Sequence, residues 1–129
     1  HHCQLSSLYR TAPVGNLQQP DYINAVMYCE SELGPFALLR SLLEIERHMG
    51  RIRSGERWGP RIIDLDLLSV DGVALKTHQL VLPHPQIPFR PFVLVPMSEL
   101  VSEYEFPQMG QLTDLLETAP EQQVERICQ

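Results

Sequence analysis

The sequence predicts an α+β domain: a ferredoxin-like antiparallel sheet with helices on one face and accessory hairpin and C-terminal elements. Apolar stretches of strand length flank one long amphipathic helix in the order strand, strand, helix, strand. That order matches the later part of a β-α-β-β-α-β split arrangement. The chain has 129 residues, enough for one domain with its own core, so 1–129 reads as a single unit. Its composition, 43% hydrophobic and 20% charged, is that of an ordinary globular protein.

Cys3 to Tyr9 reads as a short strand, and Thr11 to Pro20 as a loop carrying Ala-Pro-Val-Gly and Gln-Gln-Pro. Asp21 to Glu30 alternates as a second strand. Ile23, Ala25, Met27 and Cys29 fall on one face, and Tyr22, Asn24, Val26 and Tyr28 on the other. Gly34-Pro35 opens a helix whose stripe is Leu38, Leu42, Ile45 and Met49, with Gly50 as its cap. Gly50 to Gly59 is an arginine-rich loop, and Ile62 to Val70 a third strand. Asp71-Gly72 turns into a short return strand at Val73 to Leu75. Leu80 to Phe89 is a proline-punctuated loop. Arg90 to Leu100 has a helical face of Phe92, Val93, Val95 and Leu100, against which Pro96 counts about 3 kcal/mol. Leu112, Leu115 and Leu116 mark a last helix, and Val124 to Cys128 a final strand.

A net charge of −6 argues against general affinity for nucleic acid. No apolar run is long enough to span a membrane and no signal pattern opens the sequence, so no membrane partner is expected. The three cysteines, Cys3, Cys29 and Cys128, are odd in number and lack a C-x-x-C spacing. They read as small buried hydrophobes in a reducing, cytoplasmic setting, with neither a disulfide framework nor a zinc site.

The chemistry concentrates in Arg57-Trp58-Gly59-Pro60-Arg61-Ile62-Ile63-Asp64-Leu65-Asp66-Leu67-Leu68. On a strand, Asp64 and Asp66 project from the same face, about 7 Å apart along the chain. Two carboxylates so placed repel each other unless a positive group lies between them. A hard divalent cation is the simplest such group, and Mg²⁺ takes one or two carboxylates together with substrate phosphates. From Arg51 to Arg61 four arginines (Arg51, Arg53, Arg57, Arg61) face one glutamate, a local net charge of +3 suited to phosphate. Trp58 lies in this loop, and Ser54-Gly55 could hinge it as a lid. Tyr22 and Asn24 share a strand face that would suit a flat heteroaromatic ring. His84 is placed to donate a hydrogen bond or carry charge near phosphate.

At these residues the sequence resembles the 6-hydroxymethyl-7,8-dihydropterin pyrophosphokinases of folate biosynthesis. The signature of a basic residue, any residue, Gly-Pro-Arg, two residues, then Asp-Leu-Asp and two aliphatics runs from Arg57 to Leu68. Ser-Leu-Tyr-Arg-Thr-Ala-Pro-Val-Gly (7–15), Gln-Pro-Asp-Tyr-Ile-Asn-Ala (19–25), Glu-Arg-His-Met-Gly-Arg-Ile-Arg (46–53) and Pro-His (83–84) match in the same order.

The resemblance implies an ATP- and Mg²⁺-dependent enzyme. It moves diphosphate from ATP to the pterin hydroxymethyl oxygen and leaves AMP. By the same resemblance Asp64 and Asp66 hold two Mg²⁺ ions, and Arg51 and Arg61 steady phosphate charge. Glu46, Arg53, Trp58, His84 and Arg90 serve ATP, with Arg53 and Trp58 on a closing loop. The pterin ring lies between Tyr22 and Phe92, and Asn24 with the backbone around Thr11, Ala12 and Val14 reads its edge. Partners are these two small molecules, and a monomer is favoured.

The sequence departs from the family in three places. The usual opening strand, Gly-Ser-Asn turn and long helix are absent from these 129 residues, so the domain is expected to be N-terminally incomplete relative to the family. Pro85 follows His84 where many members carry tyrosine, and Gln79 stands where a basic residue often assists ATP. Two rival functions follow from the residues: a non-catalytic ferredoxin-like binding module, and a nucleotidyltransferase releasing pyrophosphate rather than AMP.

Overall fold

A computed structural model describes residues 2–11, 22–51 and 64–127, with Arg51 described in its backbone only. The fold is α+β, built of helices and small antiparallel sheets. The expected strand at Cys3 to Tyr9 is two strands, β1 (Cys3–Leu5) and β2 (Tyr9–Thr11). The expected strand at Asp21 to Glu30 is likewise β3 (Tyr22–Asn24) and β4 (Met27–Cys29). Ser6 and Val26 lie where both stretches are interrupted. The Ser6 N–H donates to the Val26 carbonyl at 2.8 Å. The Val26 N–H donates to Ser6 Oγ at 2.9 Å. The two stretches pair with each other on both sides of this point, β1 with β4 and β2 with β3, but the register shifts by one residue, and β2 also pairs with the C-terminal β9 (Val124–Arg126).

The second stretch keeps its two-residue alternation, with Asn24 and Val26 half-buried. Val26 packs on the core, whereas Ile23 and Met27 are 52% and 59% exposed. Two of the cysteines are not the small buried hydrophobes expected. Cys3 and Cys29 are exposed, stand directly opposite each other across β1 and β4, and form a disulfide. The flanking bond from the Glu30 N–H to the His2 carbonyl makes theirs a non-hydrogen-bonded pair. Such pairs bring strands closest, and here the Cα atoms are 4.2 Å apart. An odd cysteine count leaves room for one bridge, so it gave no ground for a reducing compartment. Cys128 lies outside the described residues.

Helix α1 (Pro35–Arg51) begins where Gly34-Pro35 predicts, with the Leu38 N–H donating to the Gly34 carbonyl at 3.0 Å. It continues through Gly50 instead of stopping there. Its inner stripe also differs from expectation: Ile45 is exposed and Glu46 is half-buried with Leu38, Leu42 and Met49. One position is a rotation of about 100° on a helix, and Glu46 turns inward because its carboxylate has a backbone partner there.

Residues 64–70 form no strand ladder. Residues 62 and 63 of the expected third strand lie outside the described residues, and from residue 64 on hydrogen bonds to other elements take its place. The Leu65 N–H donates to Glu46 Oε2. The Leu68 carbonyl accepts from the His84 N–H at 2.8 Å. Ser69 Oγ shares a hydrogen bond with Tyr104 Oη at 2.7 Å. The Asp71-Gly72 turn forms as expected, closed by the Val73 N–H on the Val70 carbonyl at 3.0 Å, with Gly72 at φ 69°. The return strand does not pair backward. Instead β5 (Leu75–Lys76) pairs forward with β6 (Val81–Leu82), and a cis Leu82–Pro83 bond follows.

A short 3-10 turn (Ile87–Phe89) leads into α2 (Pro91–Leu100), which retains Pro96 inside it. The buried side of α2 is Pro91, Val93, Leu94, Pro96 and Met97, not the expected Phe92, Val95 and Leu100. The hairpin of β7 (Glu105–Phe106) and β8 (Gly110–Gln111), unforeseen from sequence, leads into α3 (Leu112–Thr118). Ile87, Val93, Leu94, Met97, Phe106 and Leu112 form the core. Each fully buried side chain of this kind contributes about 1.5–3 kcal/mol, which offsets the proline inside α2.

Candidate active site

Asp64 and Asp66 are both exposed, and Leu65 between them is half-buried. The alternation expected of a strand therefore survives without a ladder, because Leu65 is drawn inward through its N–H to Glu46. Both carboxylates stay on the outer side. They offer acceptor-only oxygens at two-residue spacing. Among the described residues no group of three or more His, Cys, Asp or Glu could hold a metal. This donor set fits a hard cation that takes one or two carboxylates and completes its shell with water or phosphate.

His84 is held beside this segment by its own N–H on Leu68. Its Nδ1 accepts from the Gln86 N–H at 3.2 Å, so in the neutral ring Nε2 carries the proton. Burial holds His84 below its ordinary pKa range, the Arg90 charge adds to this, and Asp66 opposes it. The two charge influences put Asp66 and Arg90 within electrostatic reach of His84. The lowered pKa favours the uncharged imidazole, an N–H donor. Arg90 precedes α2, and its guanidinium lies 5.7 Å from the centre of the Phe92 ring, a cation–π arrangement.

On the sheet, β2 aligns the second group of candidates. Thr11 lies directly opposite Tyr22 and Tyr9 opposite Asn24, with Val124 and Arg126 opposite the same two on the other side. Directly paired residues project to one face, so Tyr9, Thr11, Tyr22 and Asn24 share a face. Tyr9 reaches α2 through Glu99, and the shared face is therefore the one turned to the helix that carries Phe92. Tyr22 is 54% exposed and Asn24 half-buried. Thr11 is 1% exposed, and its Oγ1 has no hydrogen-bond partner among the described residues. A buried hydroxyl without a partner is uncommon, and it lies at the end of the strand that lines this face.

The chain matches the family model described as 7,8-dihydro-6-hydroxymethylpterin-pyrophosphokinase (HPPK) over residues 1–102. It belongs to the HPPK family. A protein of Synechocystis sp. named 2-amino-4-hydroxy-6-hydroxymethyldihydropteridine pyrophosphokinase is 46% identical over 105 residues, covering 81% of this chain and 53% of that one. The protein of the same name from Haemophilus influenzae is 40% identical over 116 residues, covering 90% of this chain and 72% of that one. A mitochondrial folate synthesis bifunctional protein of Pisum sativum is 41% identical over 101 residues, 78% of this chain and 19% of that protein. The chain thus spans little more than half of the Synechocystis relative.

Of the residues expected to form an HPPK site, the structure brings Asp66, His84 and Arg90 together and puts Asp64 on the same side as Asp66. It puts Thr11, Tyr22 and Asn24 on one face, turned to the element that bears Phe92. Ala12, Val14, Arg53, Trp58 and Arg61, like the arginine-rich loop, lie outside the described residues, as does the side chain of Arg51. Glu46, expected to serve ATP, is engaged with Leu65. Sequence reading missed this link. Its signal was a charged residue one step from the apolar stripe of α1.

Proposed function

We propose that the chain carries the activity named for its bacterial relatives, moving diphosphate from ATP to the hydroxymethyl oxygen of 6-hydroxymethyl-7,8-dihydropterin and releasing AMP. The observations that carry this proposal are the electrostatic reach of Asp66 and Arg90 to His84, with Asp64 exposed like Asp66, and a sheet face turned to the helix that bears Phe92. Asp64 and Asp66 would hold Mg²⁺, two ions by family resemblance. When bound, the metal supplies neutralisation of triphosphate charge.

The residues of the chain do the rest. His84 donates Nε2–H to a phosphate oxygen without needing a proton from solvent. Arg90, with Arg51 and Arg61, supplies fixed positive charge where negative charge shifts during transfer. Tyr22 and Phe92 sandwich the pterin, and Asn24 with the Thr11, Ala12 and Val14 backbone reads its polar edge. The hydroxymethyl oxygen attacks the β-phosphorus, the bond from that phosphorus to the α–β bridging oxygen breaks, and AMP departs. The alcohol loses its proton late, as a loose transition state permits, so no general base is required. Arg53 and Trp58 belong to a loop that closes over ATP, and Glu46 supports this nucleotide side.

We further place this activity in one ferredoxin-like domain over 1–129, acting as a cytoplasmic monomer without nucleic-acid or membrane partners. The acidic net charge supports the exclusion of nucleic acid. Among the described residues no helix is long and apolar enough to cross a membrane. Alkylation of thiols in intact cells tests the compartment, since a fully oxidised Cys3–Cys29 pair there would count against the cytoplasm.

The deciding assay follows AMP from ATP, Mg²⁺ and the hydroxymethyl dihydropterin, with Asp66→Ala as control. Pterin-dependent AMP that disappears in the variant is expected. Release of pyrophosphate instead would assign a nucleotidyltransferase. Pterin binding without turnover by the folded chain would assign a non-catalytic module.

A further inference from the structure

Glu99 lies in the last turn of α2, and its carboxylate gathers hydrogen bonds from a segment some ninety residues away. The Ser7 N–H donates to Oε1 at 3.1 Å and to Oε2 at 3.0 Å. Ser7 Oγ donates to Oε2 at 3.1 Å and Tyr9 Oη to Oε1 at 2.7 Å. Charge-assisted bonds of this kind are stronger than neutral ones. The bond from Tyr9 foremost, then those from Ser7, hold the Glu99 carboxyl below the usual range, with Arg126 on β9 adding to the effect. Tyr9 is buried, and burial followed by Glu99 pushes its phenol up.

The two ends of this link lead to the two walls of the ring site. Tyr9 is directly opposite Asn24, and Thr11, two residues on, is opposite Tyr22. Phe92 precedes Glu99 by seven residues on α2. Seven residues are two helical turns, which puts both on nearly the same side about 10 Å apart along the axis. The Glu99 carboxylate therefore ties the helix that carries one wall to the strand that registers the other.

We infer that Glu99 is a positioning residue that sets the gap between Phe92 and the Tyr22–Asn24 face, and so the fit of a flat ring in it. This rests on the proposed pterin reading of that face. Asp64, Asp66 and His84 are attached through Glu46 and Leu68 rather than through α2, so most of the phosphate side does not depend on this link, Arg90 alone standing at the start of that helix.

The test measures equilibrium binding of 6-hydroxymethyl-7,8-dihydropterin and, separately, of a non-hydrolysable ATP analogue with Mg²⁺. It uses the full chain and its Glu99→Ala, Glu99→Gln and Tyr9→Phe variants. Glu99→Ala should weaken the pterin about tenfold and leave the nucleotide within about twofold. Glu99→Gln, which keeps one acceptor oxygen, should recover most of the loss, and Tyr9→Phe should weaken the pterin about threefold. A folded Glu99→Ala chain with unchanged pterin affinity, or with equal losses for both ligands, overturns the assignment. Should that variant not fold, Tyr9→Phe decides alone, and no change in pterin affinity overturns it. Failure of the wild-type chain to bind the pterin overturns the functional reading and this assignment together, whereas binding by wild type without a selective loss overturns only this one.

Discussion

The backbone N–H of Leu65, the residue between the two aspartates, donates to the Glu46 side chain on α1. The carboxylates that would hold a metal are thus set by a residue eighteen positions before Asp64. Glu46→Ala leaves a half-buried N–H without its acceptor, a change that costs about 1–3 kcal/mol. Urea unfolding should show that loss, and AMP release should fall with it. Glu46→Gln keeps a carbonyl acceptor and should lose less in both measurements.

Asp66 is the influence that raises the His84 pKa against burial and Arg90. Asp66→Asn removes that influence, so the His84 imidazole should titrate lower still, which a proton NMR titration of the ring would read. AMP release in the same variant should fall by about two orders of magnitude or more, since a carboxylate that would bind metal is gone. A His84 titration that moves upward would contradict the arrangement.

The pH dependence of stability has a sign at each end. His84 has a lowered folded pKa, so its contribution is full above its unfolded value near 6.5 and is lost as pH falls through the folded one. Glu99 behaves alike further down, full above about 4.5 and lost below. Tyr9 has a raised pKa, so its contribution is full below about 10 and lost as pH rises toward the folded value. Urea midpoints across pH should therefore fall at both extremes. Tyr9→Phe should flatten the alkaline fall, and Glu99→Gln the most acidic part.

Cys3 and Cys29 enclose a 26-residue separation, for which loop-closure entropy gives about 3.5 kcal/mol of stabilisation when bridged. Unfolding with and without dithiothreitol should differ by about that amount in the wild-type chain and not at all in Cys3→Ser. Equal midpoints in the wild type would show that the bridge adds nothing.

The sequence carried the chemistry further than the architecture. The Asp64–Asp66 spacing already placed both carboxylates on one side, because two-residue alternation needs only an extended chain. Gly34-Pro35 located the start of α1, and Asp71-Gly72 located a turn, since both depend on backbone restrictions of the residues themselves. What depends on tertiary partners was not legible. No local pattern shows that Ser6 and Val26 would exchange backbone and hydroxyl bonds and split two strands into four. Nor does one show that Glu46 would displace Ile45 from the inner face of α1, or that Tyr9 and Ser7 would meet Glu99. Cysteine counting failed for the same reason, as register alone brought Cys3 opposite Cys29.

Hydrogen bonds join the stretch from Asp64 to Val70 to α1, to the His84 turn and to Tyr104. For genetics this means that inactivating substitutions will not cluster on the aspartates. A complementation screen should also recover changes at Glu46, on the nucleotide side, and at Ser69 and Tyr104, for which no substrate contact is proposed. Alleles at the last two should be temperature-sensitive rather than null, because each loosens one suspension point and leaves the charges in place.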